Sequence, residues 1–100
     1  MAELIWTEPA VTGLNEIAEY IALDNPTAAS KLIKETLHKV DRLAEFPLSG
    51  RNPPELPSSP YRELISPPCR VFYRVDGELV LILCVIREER QLREYMLGAE

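Results

Sequence analysis

Apolar side chains alternate with polar ones over residues 70–75 and run almost without interruption over residues 78–86, on either side of Asp76 and Gly77. Because an Asp-Gly pair between such runs favours a two-residue turn, the pattern predicts a β-hairpin. This turn pairs Val75 with Glu78, and the pairing decides which side chains share a face. The predicted core face carries Val71, Tyr73, Val75, Glu78, Val80, Ile82, Cys84 and Ile86.

The second face of the predicted hairpin mixes arginines with apolar side chains. It carries Arg70, Phe72, Arg74, Leu79, Leu81, Leu83, Val85 and Arg87. Arginines on an exposed sheet face can simply prevent edge association and aggregation. An apolar floor between charged walls, however, suits a groove for an apolar partner segment with acidic flanks. Residues 79–86 are apolar on both faces, which predicts a central strand.

Two segments upstream repeat their apolar residues at helical spacing. Thr7 is the predicted N-cap of the first helix, with Pro9 in its first turn. Asn25 and Pro26 begin the second helix, which is expected to end at Phe46-Pro47. The short connection predicts an antiparallel helix hairpin. Its expected contacts with the core face of the sheet come from Ile17, Ile21, Leu37 and Val40.

The remaining segments complete a small sheet. Residues 3–6 and 62–66 are β-prone, residues 47–60 form a proline-rich loop, and residues 87–97 are rich in helix formers. The predicted fold is therefore a single α+β domain over residues 1–100, with an antiparallel helix hairpin packed on one face of a small, mostly antiparallel β-sheet. Its order is β-α-α-β-β-β with a short C-terminal helix or tail. The other sheet face is expected to be open, or closed only in part by the tail.

Composition narrows the possible functions. The formal net charge is −5 and the isoelectric point is near 4.9, which disfavours direct, sequence-specific nucleic-acid binding. The single histidine, His38, falls among polar residues, and no CxxC occurs, so neither a metal nor a cofactor is expected. No basic leader and no run of roughly 20 apolar residues is present, so the chain is expected in the cytoplasm and not in a membrane.

Six short segments, in this order and spacing, resemble the RelE/ParE superfamily of type II toxin-antitoxin toxins, and within it the ParE-like branch. They are Trp6-Thr-Glu-Pro-Ala10, Asn25-Pro-Thr-Ala-Ala29, Phe46-Pro-Leu-Ser-Gly-Arg51, Tyr61-Arg-Glu-Leu-Ile65, Cys69-Arg-Val-Phe-Tyr-Arg-Val75 and Leu81-Ile-Leu-Cys-Val-Ile86. The resemblance covers nearly the whole chain.

This resemblance implies two helices on a small antiparallel sheet and a cognate, ParD-like antitoxin that wraps and neutralises the toxin. RelE-like members cut messenger RNA on the ribosome, whereas ParE-like members inhibit DNA gyrase. The second face of the hairpin is the expected antitoxin-binding surface. Its residues would be Arg70, Phe72, Arg74, Leu79, Leu81, Leu83 and Arg87.

The RNA-cutting branch typically has basic residues on the strand before the hairpin, an arginine at the start of the next strand, and a basic or histidine-containing C-terminal motif. Arg70 matches the arginine and Tyr95 a late tyrosine, but Tyr61 and Glu63 stand at the basic positions. Gyrase inhibition without catalysis is therefore favoured. The alternatives are a ribosome-dependent endonuclease using Arg70, Glu63 and Tyr95, and a non-toxic module that only binds its antitoxin.

Overall fold

The computed structural model describes residues 1–98 as two helices, four strands and two short 3-10 segments. The strands are β1 (Glu3–Trp6), β2 (Tyr61–Ser66), β3 (Cys69–Asp76) and β4 (Leu79–Arg87), the helices are α1 (Glu8–Ala22) and α2 (Pro26–Asp41), and the 3-10 segments are Arg42–Ala44 and Glu94–Leu97. The sheet order is β1-β4-β3-β2, with β1 parallel to β4 and the other pairs antiparallel. The predicted fold class is confirmed, and β4 is a central strand. Within residues 1–98, neither helix is both long and apolar enough to cross a membrane.

The starts of the two helices are stabilised in different ways. The Asn25 side chain accepts a hydrogen bond from the Ala28 N–H at 3.0 Å, as its predicted capping role requires. Thr7 occupies the N-cap position of α1, but its hydroxyl donates to the Ile82 carbonyl at 2.7 Å instead of capping the helix. The start of α1 is therefore tied to the centre of β4.

The main core lies between the helices and one sheet face, which we call the helix face. Val71, Tyr73, Val80 and Ile82 are fully buried there with Val40, and Ile17 and Ile21 pack against them. The prediction that Leu37 packs in this core is wrong, because Leu37 is 42% exposed. Thr36 is buried in its place, and its hydroxyl forms a 2.8 Å hydrogen bond with Ser66 that removes the penalty of burying a polar group.

The hairpin turn lies one residue later than predicted, so each strand partner near it moves by two residues. Asp76 pairs with Leu79, so Gly77 and Glu78 are the turn residues. Gly77 has a φ of 61°, and no other residue type in the described chain has a positive φ. A glycine with positive φ at the first turn position is typical of a type II′ turn. Because side chains alternate with a period of two, the shift leaves each residue near the turn on its predicted face.

A β-bulge changes the second half of β4. Tyr73 pairs with Ile82 but Phe72 pairs with Cys84, which leaves Leu83 as an extra residue between them. Beyond the bulge every side chain of β4 exchanges faces. The predicted placement is therefore wrong for the residues after the bulge. Val85 and Arg87 lie on the helix face, whereas Cys84 and Ile86 lie on the opposite face, which we call the outer face.

Part of the outer face is covered by the chain itself. Phe72, Cys84 and Ile86 form a second buried cluster with Leu92 and Leu97, and Leu56 of the proline-rich loop packs against it. The predicted C-terminal helix is reduced to the 3-10 segment Glu94–Leu97, and residues 88–93 form turns and irregular structure. The tail therefore closes one half of the outer face and not the other.

The close approach of α1 to β4 gives a first testable prediction. A Cβ added at Gly13 would lie 2.6 Å from the Val85 carbonyl oxygen, a backbone atom of a central strand. Alanine in mid-helix gains about 1 kcal/mol over glycine, whereas overpacking costs about 1 to 3 kcal/mol. We expect Gly13→Ala to lower the free energy of unfolding by about 1 to 2 kcal/mol in urea titrations. Asn15→Ala, at an exposed position of α1, is the control and should not destabilise the protein. A more stable Gly13→Ala protein would contradict the packing.

Candidate functional site

Arg70 lies on β3, on the outer face, and its guanidinium donates hydrogen bonds to three other residues of this chain. Its Nε donates to Glu63 Oε1 at 2.9 Å, while Nη2 and Nη1 donate to the two carboxylate oxygens of Glu55 at 2.7 and 2.9 Å. Nη1 also donates to the Arg90 carbonyl at 3.0 Å. A guanidinium that binds one carboxylate through two nitrogens is held in a fixed orientation.

Both carboxylates have further partners. Glu63 Oε2 accepts from the Arg51 Nε at 2.6 Å, and Glu55 Oε2 accepts from the Leu92 N–H at 2.9 Å. We call the set Arg51, Glu55, Glu63 and Arg70 the arginine–carboxylate cluster. Through it, the proline-rich loop, β2, β3 and the tail are joined. Glu55 was missed from the sequence, because a single acid in a loop has no motif that links it to a strand.

The environment of Arg70 leaves its charge fully paired. The side chain is only 6% exposed, and its guanidinium lies 4.8 Å from the centre of the Phe72 ring. Hydrogen bonding to Glu55 and, to a smaller extent, to Glu63 raises the pKa of Arg70. The reciprocal bond from Arg70 is the main cause that lowers the pKa of Glu55 to about 2. The cluster is therefore a closed, charge-balanced set of ion pairs.

The residues expected of an RNA-cutting site are only partly together. Arg70 and Glu63 are adjacent, but each is buried and bonded to the other. Tyr95 is 78% exposed and lines surface grooves with Met96, outside the arginine–carboxylate cluster. His38 is exposed on α2. The structure therefore provides an ion pair at the position where a cleavage site would need free catalytic groups.

The pKa of Glu55 makes stability depend on pH. Because the pKa falls from an ordinary 4.5 to about 2 on folding, Glu55 stabilises the protein above about pH 4.5, and this contribution is lost as the pH falls towards 2. We expect Glu55→Gln to reduce the acid-induced loss of unfolding free energy in that range by roughly 2 to 3 kcal/mol. Glu16→Gln, on the exposed side of α1, is the matched control. An unchanged acid dependence in Glu55→Gln would contradict the assigned ion pair.

The uncovered half of the outer face presents a second feature. Leu79, Leu81 and Leu83 of β4 are half-buried, and Arg74 is the strand partner of Leu81. Ile5 of β1 pairs with Leu81 from the other side and is also half-buried. We call Ile5, Arg74, Leu79, Leu81 and Leu83 the outer strip. Ile5 was missed because the sequence does not reveal that β1 is next to β4.

Three residues of the expected antitoxin-binding set lie elsewhere. Phe72 is fully buried beneath the tail, and Arg70 is buried in the arginine–carboxylate cluster. Arg87 lies at the end of β4 on the helix face and donates from its Nε to Glu89 at 2.7 Å. Of the expected set, Arg74, Leu79, Leu81 and Leu83 are partly exposed on the outer face. They lie at the side of the sheet that borders β1.

The chain combines a layer of two helices with a four-stranded sheet, and this fold can be compared with those of known protein families. Residues 4–92 match the family described as the ParE toxin of the type II toxin-antitoxin system, parDE. The chain belongs to this family, as the six sequence segments predicted, and is a type II toxin-antitoxin toxin.

Individual relatives agree with this assignment. The chain is 37% identical over 86 residues to toxin Y4kP of Sinorhizobium fredii, covering 86% of this chain and 88% of that protein. It is 36% identical over 84 residues to toxin RelE2 of Caulobacter vibrioides, covering 83% and 91%. A structure of the chromosomal ParDE toxin-antitoxin system from P. aeruginosa matches with a TM-score of 0.75 and 26% identity, covering 89% of this chain and 98% of that chain.

Proposed function

We propose that this toxin inhibits DNA gyrase by binding to it, without cutting RNA, and that a cognate ParD-like antitoxin neutralises it. The observation that carries the proposal is the pairing of Arg70. Four of its five N–H donors bind Glu55, Glu63 and the Arg90 carbonyl, so the arginine that matches an RNA-cutting site is already engaged within this chain.

RNA cleavage requires groups that this arrangement does not offer. A base must take the proton of the 2′-hydroxyl, an acid must protonate the leaving oxygen, and cations must stabilise the additional phosphate charge. Glu63 is 1% exposed and accepts from two arginines, so it is held away from any substrate hydroxyl. Releasing either partner would leave an uncompensated buried charge, which costs several kcal/mol.

Inhibition of gyrase has a simpler requirement. A protein inhibitor needs a surface that binds one conformation of the enzyme more tightly than the others, and it needs no bond-making group. The net charge of −5 also fits a protein partner better than direct binding to a polyphosphate. The arginine–carboxylate cluster then has a structural role, which is to hold the loop and the tail on the sheet.

The proposed antitoxin-binding site is the outer strip. Its leucines and Ile5 are half-buried apolar groups on a regular sheet surface, and Arg74 adds a positive charge beside Leu81. Such a surface suits an apolar segment with an acidic flank. The similarity to a chain of a ParDE toxin-antitoxin system supports a partner of this kind.

The test is a supercoiling reaction with purified DNA gyrase, relaxed plasmid and toxin freed of antitoxin. We expect supercoiling to fall as toxin is added and to recover when the toxin is first mixed with an equimolar amount of the antitoxin encoded beside it. Full supercoiling at a large excess of folded toxin would overturn the gyrase proposal.

A second candidate is a ribosome-dependent endonuclease of the RelE type. The observations in its favour are the 36% identity to toxin RelE2 and the adjacency of Arg70 and Glu63. In that case the ion pair would have to open on the ribosome. Cleavage of messenger RNA at the ribosome with supercoiling unaffected would support this candidate.

A further inference from the structure

Side-chain hydrogen bonds from Tyr73 and Arg62 hold the loop that follows the 3-10 segment Arg42–Ala44. The buried Tyr73 hydroxyl accepts a hydrogen bond from the Gly50 N–H at 2.9 Å and donates one to the Pro47 carbonyl at 2.9 Å. From the other side, Arg62 Nη1 donates to the carbonyls of Leu48 and Gly50 at 3.2 and 2.7 Å. The backbone of this loop is therefore fixed to β2 and β3 by side-chain hydrogen bonds.

The same loop presents large apolar side chains to solvent. Phe46 is 52% exposed and Leu48 is 62% exposed, on either side of Pro47. We call these three residues the loop knob. The hydrogen bonds hold the backbone of the loop in a position where these side chains stay outside the core. A fixed apolar projection loses little conformational entropy on binding, which is what a docking element requires.

Two basic side chains line the cavity beside the loop knob, although the whole chain carries a formal net charge of −5. A cavity of about 250 Å³ beside Phe46 is lined by Lys39, Arg42, Ser49 and Leu64. Asp41 and Glu45, the acids of the same stretch, do not line it. A partner that receives the knob would therefore gain from carboxylates placed opposite Lys39 and Arg42.

The position of the loop knob separates it from the outer strip. Leu64, in the wall of the cavity, pairs with Val71 and packs against the core of the helix face. Leu81 lies on the opposite face of the sheet. The loop knob presents two apolar side chains on a fixed loop, which suits contact with a folded protein. An extended segment is better received by the sheet surface of the outer strip.

We propose that the loop knob is the surface that docks on the target enzyme. It inserts Phe46 and Leu48 into an apolar recess of DNA gyrase, and carboxylates at the rim of that recess face Lys39 and Arg42. This inference rests on the proposed function, since it assigns a site on the toxin to the gyrase interaction.

The test compares two matched double variants in the gyrase supercoiling assay. Phe46→Ser/Leu48→Ser removes the knob, and Tyr20→Ser/Leu23→Ser removes another exposed aromatic and leucine, near the end of α1. We expect the first variant to require roughly 30-fold more toxin for half-inhibition, with unchanged antitoxin affinity and a thermal midpoint that keeps the protein folded at the assay temperature. The second should inhibit like the wild type.

A charge reversal provides an independent measurement. Arg42→Glu is expected to weaken inhibition roughly tenfold at low salt, whereas Lys34→Glu, on the exposed side of α2, should leave it unchanged. Inhibition by wild type, by the knob variant and by Arg42→Glu at the same concentration would overturn the docking site and leave gyrase as the target. Failure of the wild type to inhibit, in a preparation that binds antitoxin, would overturn both.

Discussion

Arg70→Met is expected to lower the free energy of unfolding by about 3 to 5 kcal/mol, since it leaves two buried carboxylates without their shared cation. Glu55 would lose both of its bonds to Arg70, and Glu63 would keep only Arg51. Equilibrium unfolding in urea measures the change. Arg93→Met, at an exposed position in the tail, is the control and should change stability by less than about 0.5 kcal/mol.

A compensated variant distinguishes a structural arginine from a catalytic one. In Arg70→Met/Glu55→Gln/Glu63→Gln the unpaired charges are removed together, so much of the lost stability should return. With the fold restored, a toxin that acts by binding should regain inhibition of its target. A fully stable triple variant without any toxicity would instead identify Arg70 or a carboxylate as part of a catalytic site.

Leu81→Glu is expected to weaken the complex with the antitoxin by about 2 to 5 kcal/mol, because it places a charge in the middle of the outer strip. The fold should tolerate the change, since Leu81 is only half-buried and its strand partner Arg74 can pair with the new carboxylate. Isothermal titration of the antitoxin measures the affinity. Leu81→Met, which keeps the site apolar, and Leu23→Glu, at an exposed site on the helix layer, are the controls.

The outcome for Leu81→Glu also bears on the extent of the antitoxin site. If a folded Leu81→Glu protein binds as tightly as the wild type, the outer strip is not the antitoxin site. If Ile5→Glu weakens binding as Leu81→Glu does, the site extends across β4 to β1, as the parallel pairing of these two residues suggests. In either case, titration of folded variants measures antitoxin affinity separately from the stability of the free toxin.

The elements of this fold were predictable because each has a strong local signal. Asn25 and Pro26 mark the start of α2, and the apolar spacing of both helices reflects their single buried face. The central position of β4 followed from its apolar residues on both faces. Such signals depend on residues close together in the sequence, where spacing and side-chain type determine the structure.

The surface of the hairpin was less predictable because it depends on register. The bulge at Leu83 exchanges the faces of Cys84, Val85, Ile86 and Arg87. The sequence does not reveal the bulge, because the residues around it are apolar and an apolar side chain fits on either face of this strand. The arginine–carboxylate cluster was equally hidden. It joins Glu55 to Arg70 and Leu92 across long separations, and no local spacing connects a loop acid to a strand and a tail.

The most direct test of the central claim, that this toxin acts by binding gyrase and does not cut RNA, uses one preparation of antitoxin-free toxin in two reactions. One contains DNA gyrase and relaxed plasmid, and the other contains translating ribosomes whose messenger ends are mapped by primer extension. We predict that supercoiling falls with added toxin while no new messenger ends form at the ribosome. New messenger ends at the ribosome, accompanied by unchanged supercoiling, would contradict the account.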